Sequence, residues 1–239
     1  MPSTDKARPR KAGPYHHGDL RAALIDIAIE LIGERGVRNF SMAEASRRLG
    51  VAVSAPYAHF ADREALLAAV KVHAYELLAA ELPAIRELPD PAGRLAALTR
   101  AYVRFAASKR PLFEVIYQAG LDKARYPQIE AAEQPVTDFF LASVLALSGP
   151  GDQTASTPAA SSPPAGSQGG PAPDSQPDSQ ARDAQAAEYL ATALEATAHG
   201  HAVLLLEGEF GDGEQAVATA AERAARATLA LVAGRHLLR

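Results

Sequence analysis

Apolar residues recur along much of this chain at spacings of three and four, the period of a single helix face. Leu20, Leu24, Ile27 and Leu31 form the first such stripe, at intervals of 4, 3 and 4. Asp19 is placed to cap that helix and Gly36 to stop it. Met42, Ala45 and Leu49 give one apolar face to a short helix that Ser41 can cap. Gly50 follows directly, the residue best suited to leave a helix in a left-handed conformation. Val51 then supplies an apolar plug, and a second helix carries Val53, Ser54, Ala55, Tyr57 and His59, ending near Phe60. Asp62 caps a longer helix with Leu66, Val70, His73 and Leu77 on one side, and Pro83 comes soon after its end.

The pattern continues helical. Residues 91–108 hold Leu95, Leu98, Tyr102 and Phe105 at helical spacing. Pro111 reads as a first-turn proline for a short helix with Leu112, Phe113, Val115, Ile116 and Tyr117, closed by Gly120. A further helix runs from about Gln128 to Leu147, with Val136, Phe139, Phe140, Val144 and Leu147 on its face. Residues 148–180 break the pattern: seven of these 33 are Pro, seven Ser and five Gly, and none is aromatic, Leu, Ile, Val, Lys or Arg. Such a stretch has too little apolar surface to offset ordering, and reads as a flexible loop between two helices of one domain. Order resumes near Arg182, and Leu190, Leu194, Thr197, His201 and Leu204 recur at intervals of 4, 3, 4 and 3. Past Gly208 to Gly213, Asp212 can cap a last helix of about Glu214 to Gly234. Its face of Ala216, Ala220, Ala224, Ala227 and Leu231 is small and smooth, suited to a dimer interface or to close packing within one chain.

The expected fold is therefore all-α. A flexible basic arm covers residues 1–17, a helical head 18–78, and a helical body 79–239 interrupted by the 148–180 loop. Abundant Ala and the absence of Trp favour helix over sheet. Cysteine is absent from the 239 residues, which excludes disulfides and thiol chemistry and suits a reducing cytoplasm. No apolar run approaches the ~20 residues that span a bilayer, and no apolar segment near the start marks a signal peptide.

The net charge of −4 argues against a polyanionic partner until its distribution is considered. Over residues 1–60, Lys6, Arg8, Arg10, Lys11, Arg21, Arg35, Arg38, Arg47 and Arg48 outnumber the acids, and the remainder of the chain is acidic. Basic groups on a head displace counterions from phosphates, while an acidic body limits non-specific association. Lys6, Arg8, Arg10 and Lys11 fit an arm along the DNA backbone or in a minor groove, and equally a solubilising tail. The two helices of 41–60, with Gly in the turn, fit the helix-turn-helix whose second helix enters the major groove. An ordinary helical hairpin has the same spacing. No Gly-rich phosphate loop, nucleophile elbow or HExxH is present, so catalysis is not expected. His199 and His201 lie two apart and point in different directions on a helix, a poor metal pair; no metal or cofactor is expected.

The stretch from Tyr15 to Val70 resembles the DNA-binding domain of TetR-type transcriptional regulators. The landmarks are Gly36, Ser41, Gly50-Val51, then Tyr57, His59 and Phe60, then Asp62-Arg63-Glu64 and Leu66. It departs in Ala52, where the family often has a capping Ser, in Pro56, where Leu is common, and in Arg63, where Lys is common. The resemblance implies that Ser41, Arg47, Arg48, Val53, Ser54, Ala55, Tyr57, His59 and Arg63 meet DNA, with the Tyr57 hydroxyl on a phosphate. Ala196 to Phe210, with His199-Gly200 and a Leu-Glu-Gly run but no preceding Trp, resembles the C-terminal WHG-type region of some TetR-type regulators. That region pairs two subunits and shapes a cavity for a small apolar effector. Tyr102, Phe105, Phe113, Tyr117 and His201 fall on predicted inward faces and are the candidate effector residues, though each also reads as plain core. The expected protein is a homodimer that binds a palindromic double-stranded DNA operator as a repressor and is released by a small apolar effector. Activation is not excluded by the sequence. The alternative is an all-α small-molecule binding or scaffolding protein without DNA recognition.

Overall fold

The computed structural model describes residues 20–148 and 176–238, which form nine α-helices and a few short 3-10 turns. The arm 1–17, the Asp19 cap, His16, His17 and most of the 148–180 loop lie outside the described residues.

Helix α1 (Leu20–Arg35) buries Leu24, Ile27 and Leu31 as its stripe predicts. It ends at Gly36, whose φ of 76° admits few side chains. Helix α2 (Met42–Leu49) starts at Ser41, where Oγ accepts the Glu44 N–H at 3.2 Å. At its other end Gly50 is left-handed, with φ 69° and ψ 26°. The Val51 N–H reaches back to the Ser46 carbonyl at 3.0 Å and the Gly50 N–H to the Arg47 carbonyl at 3.2 Å. These two crossed bonds are a Schellman motif, and they fix the direction in which the chain leaves α2.

The second helix of the pair is not an α-helix. Only Ala55–Ala58 is regular, as one 3-10 turn. The cause is Pro56, which has no N–H to give the Ala52 carbonyl and whose ring would strike it in an α-helix. That carbonyl takes the Ala55 N–H at 2.9 Å instead, and the Tyr57 N–H bonds Ser54 at 3.2 Å. Pro56 and Phe60 are buried and hold the turn on the head.

Helix α3 (Arg63–Ala79) begins at Asp62, whose carboxylate accepts the Ala65 N–H at 2.8 Å. It buries Leu66 and Val70 as expected, but His73 stays half exposed, and the inward face runs instead through Lys71, Tyr75 and Leu78. Pro83 does not merely follow this helix: it sits in the first turn of a short one, α4 (Leu82–Arg86).

Helices α5 (Pro91–Ser108) and α6 (Arg110–Gln118) match their predicted ranges closely. Helix α7 (Pro127–Leu145) contains Pro135, which deprives the Ala131 carbonyl of its partner at a cost of about 3 kcal/mol. Burial of Ile129, Phe139 and Val144, each contributing roughly 1.5–3 kcal/mol, outweighs it. Helix α8 (Gln176–Leu206) starts inside the segment predicted as loop. Helix α9 (Gly213–Ala233) follows, and Asp212 stands at its cap position without making a side-chain cap bond.

The Ala face of α9 is used within the chain. Ala216, Ala220 and Ala224 are buried, and α9 lies close against α5, where the Thr99 and Thr228 hydroxyls meet at 3.0 Å. Those three alanines therefore do not form a dimer surface. One continuous apolar cluster runs from Leu24 of the head through Leu66 and Ile116 to Ala224, joining head and body. No helix among the described residues is long and apolar enough to cross a membrane.

Candidate functional site

Two features stand out, a polar-aromatic patch on the head and a cavity in the body. On the head, Val53, Ser54, Tyr57 and His59 are all exposed around the Ala55–Ala58 turn, with Ala55 half-buried. Val53 and Tyr57 keep 60% and 54% of their surface accessible.

The predicted basic residues divide by what they already bind. Glu44, nearly buried, gathers Arg35 at 3.5 Å, Arg47, and Arg48 at 3.7 Å. Arg48 also grips Glu34, with one guanidinium nitrogen 2.7 Å from the carboxylate, and that bond holds the Glu34 carboxyl below its ordinary range. Arg48 is thus committed to tying α2 to α1. Arg47 is itself exposed, has a single ion pair, with Glu44, and remains the more available to a phosphate. Arg63 points inward: its Nε donates to the Phe40 carbonyl at 2.9 Å, a terminal nitrogen donates to Val37, and the guanidinium lies 5.7 Å from the Phe40 ring. It clamps the α1–α2 connection onto α3 rather than facing outward. Ser41 is exposed but spends its hydroxyl on the cap.

The body cavity, about 560 Å³, lies among α5, α7 and α8, closed by α3 and α6. That is an ordinary size for a small-molecule site. Of the five predicted pocket residues, Tyr102 and Tyr117 line it. Phe113 stands behind the wall, its ring 5.8 Å from Tyr102 and 5.2 Å from Tyr117. Phe105 faces a second groove beside α4. His201 turns away, its Nδ1 2.8 Å from the Thr197 carbonyl and its ring against Phe210. His199 meets the tyrosines instead, with its ring 4.2 Å from Tyr117 and Nδ1 3.2 Å from the Tyr102 hydroxyl, but it is not itself on the cavity wall.

Tyr75 and Glu133 also line the cavity and were not foreseen. Tyr75 lies two residues from both His73 and Leu77 of the stripe read along α3, and Glu133 has the look of a solvent-facing charge. Tyr102 donates to Tyr117. Burial, and then the nearby negative charge of Glu133 and Glu195, pushes the Tyr75 phenol far up, and burial does the same to Tyr102 and Tyr117. All three are neutral at physiological pH and keep a proton to donate.

Helix α6 connects the two features. Ile116 and Tyr117 line the cavity, while the buried Lys71 of α3 donates its Nζ to the Ile116 carbonyl at 2.8 Å. Burial lowers the Lys71 pKa, the desolvation of its charge being only partly offset by Glu133. At the other end of α6, Pro111 packs so tightly on α1 that a Cβ on Gly33 would come within 3.1 Å of it. The connection before α7 also touches the head: Arg125 pairs with Asp62 and, at 2.7 Å, with Glu64, and the Tyr126 hydroxyl donates to Asp62 at 3.3 Å.

Comparison with known proteins agrees with this arrangement. Residues 95–231 match the profile described as Tetracyclin repressor-like, C-terminal domain, and residues 24–70 that of Bacterial regulatory proteins, tetR family. No curated protein matches the chain. Among solved structures, a protein with unknown function from Rhodococcus sp. RHA1 is 27% identical, with a TM-score of 0.61 over 90% of this chain and 98% of its own. A bacterial regulatory protein in the tetR family, from Rhodococcus RHA1, is 18% identical, with a TM-score of 0.62 over 90% of this chain and 97% of its own. AibR in complex with isovaleryl coenzyme A and operator DNA is 17% identical, with a TM-score of 0.58 over 86% and 95%. Both halves of the chain thus carry the family pattern, and the protein belongs to the TetR family of bacterial regulatory proteins, DNA-binding regulators of transcription.

Proposed function

We propose that this protein is a ligand-responsive repressor, which binds a palindromic operator as a homodimer and releases it when a small lipophilic effector enters the body cavity. The observation that carries the reading is the physical connection of the two features: α6 lines the cavity with Ile116 and Tyr117 and bears on the head through Pro111 and Lys71. A ligand that spreads the cavity walls displaces α6, and α6 cannot move without shifting α1 and α3. AibR, which was captured with both a ligand and operator DNA, has the same fold and supports the pairing of functions.

On the head, Ser54 is the group for base edges, and Tyr57 and Arg47 are the groups for phosphates. Two heads in a dimer read half-sites about 34 Å apart, one duplex turn. The outer sides of α8 and α9, where Leu204 and Leu229 remain exposed, are the surface proposed for pairing.

The coupling is tested with compounds. A lipophilic ligand that binds only the folded protein raises its melting temperature, by linkage. The same ligand should weaken operator binding in fluorescence anisotropy, because DNA and effector oppose each other reciprocally. A ligand that raises the melting temperature through the cavity yet leaves operator affinity unchanged contradicts the coupling.

A further inference from the structure

We infer that the effector of the body cavity is a lipophilic organic cation, a quaternary ammonium or protonated amine on a bulky apolar frame. The inference rests on the ligand-responsive reading above and names its ligand class. Its basis is the composition of the cavity wall. Glu133, Glu188 and Glu195 line it, and no Lys, Arg or His does. Apart from Thr99, Thr137 and Thr192, the rest of the wall is apolar or aromatic, with Leu98 and Phe140 as well as the rings of Tyr75, Tyr102 and Tyr117.

The cations nearest to this wall are already engaged. Lys71 is buried beneath Ile116, with its Nζ on that carbonyl at 2.8 Å. Lys123 is paired with Glu133. Glu188 and Glu195 have no ion-pair partner among the described residues. Glu188 and Glu195 are exposed parts of the wall, and the charge of Glu195 is close enough to the three tyrosines to help raise their phenols.

A cation there is attracted twice, by the carboxylates and by the negative faces of the tyrosine rings. The three phenols, kept neutral by burial, stay available as ring faces and as hydrogen-bond partners. An anion of equal size, including a fatty acid or a coenzyme A thioester, is repelled by the carboxylates and finds neutral phenol donors on the wall but no positive group. The cavity's apolar remainder accounts for the bulky frame, which water-soluble metal ions or small ammonium ions lack.

The test uses two ions of nearly identical shape and opposite charge, tetraphenylphosphonium and tetraphenylborate. Each is titrated by calorimetry into the full chain in a potassium-free buffer without DNA. The phosphonium should bind at least about tenfold more tightly than the borate. In Glu195→Gln and Glu188→Gln, and most in the double variant, that ratio should fall to within about threefold, the borate improving as the phosphonium weakens. Each protein supplies its own control, since only the ratio is read. A borate that binds the unaltered chain as tightly as the phosphonium overturns the inference, and so does a ratio untouched by both replacements. Operator binding, measured separately, tells the two claims apart. If the ratio fails while a neutral lipophile still releases DNA, the ligand class is wrong and the regulator reading stands. If the ratio holds while no compound affects DNA, the cavity's preference stands and the regulatory coupling fails.

Discussion

Asp62 is where the head meets the body. Its carboxylate caps α3 through the Ala65 N–H and also receives Arg125 and Tyr126 from the α6–α7 connection. The backbone bond first, and then the Arg125 charge, hold its carboxyl below the ordinary value of 3.8. The folded protein therefore gives up this proton more readily than the unfolded chain does. The stabilisation is complete above that ordinary value and is lost as pH falls through the folded one. Thermal melting followed downward from pH 6 should show a steep loss below about pH 4, and Asp62→Asn, which can still cap, should flatten that limb. An identical acid limb in the variant would mean that Asp62 carries none of it. The cap itself was legible in the sequence, because a cap and its N–H are three residues apart. Arg63 was not. Its partners, Phe40 and Val37, lie 23 and 26 residues away, and nothing in the local pattern distinguishes an inward guanidinium from one waiting for a phosphate.

Elements were legible wherever one local rule decided them. Ser41, Gly50 and Pro111 each placed a helix end correctly. The recognition segment was misjudged because two local rules conflicted. Its polar and aromatic pattern asks for a helix, and Pro56 forbids the α form there. Pro56→Leu removes that conflict, restoring an N–H for the Ala52 carbonyl. The Cα chemical shifts of residues 53–59 should then move toward α-helical values, and amide exchange across the turn should slow. Unchanged shifts would show that the 3-10 turn is set by packing of Phe60 rather than by the proline. In α8 the error was one of period. A strict seven-residue repeat drifts about 20° per heptad from a straight helix. The stripe read from Leu190 therefore leaves the core by Leu204, which is exposed, while Ala202 and Leu205 take over.

At the scale of the molecule, the all-helical plan could be read from pattern, whereas the basic excess belongs to residues 1–17 rather than to the head, since residues 18–78 hold seven Lys or Arg against eight Asp or Glu. The cavity could not be read from pattern. It is assembled from five helices, and Tyr75 and Glu133 become neighbours only after α3 and α7 have packed. His199 rather than His201 meets Tyr102 for the same reason: the two differ by a rotation of the helix that only the tertiary fold selects. What results is an apolar cluster that joins head and body, with the exposed Val53–His59 patch on the head and a ligand-sized space in the body. The proposed coupling through α6 requires such packing, because close-packed interiors are poorly compressible.

The most direct measurement is anisotropy of labelled duplexes flanking the protein's own coding region, titrated with the unaltered chain, Tyr57→Ala and Ser54→Ala at several salt concentrations. The unaltered chain should bind one duplex at least about a thousandfold more tightly than unrelated DNA. Tyr57→Ala should weaken binding to every sequence by a similar factor, since phosphate contacts position the protein. Ser54→Ala should instead change which sequence is preferred, since base contacts specify. Binding by both variants that matches the unaltered chain on every duplex would contradict the placement of the Val53–His59 surface on DNA.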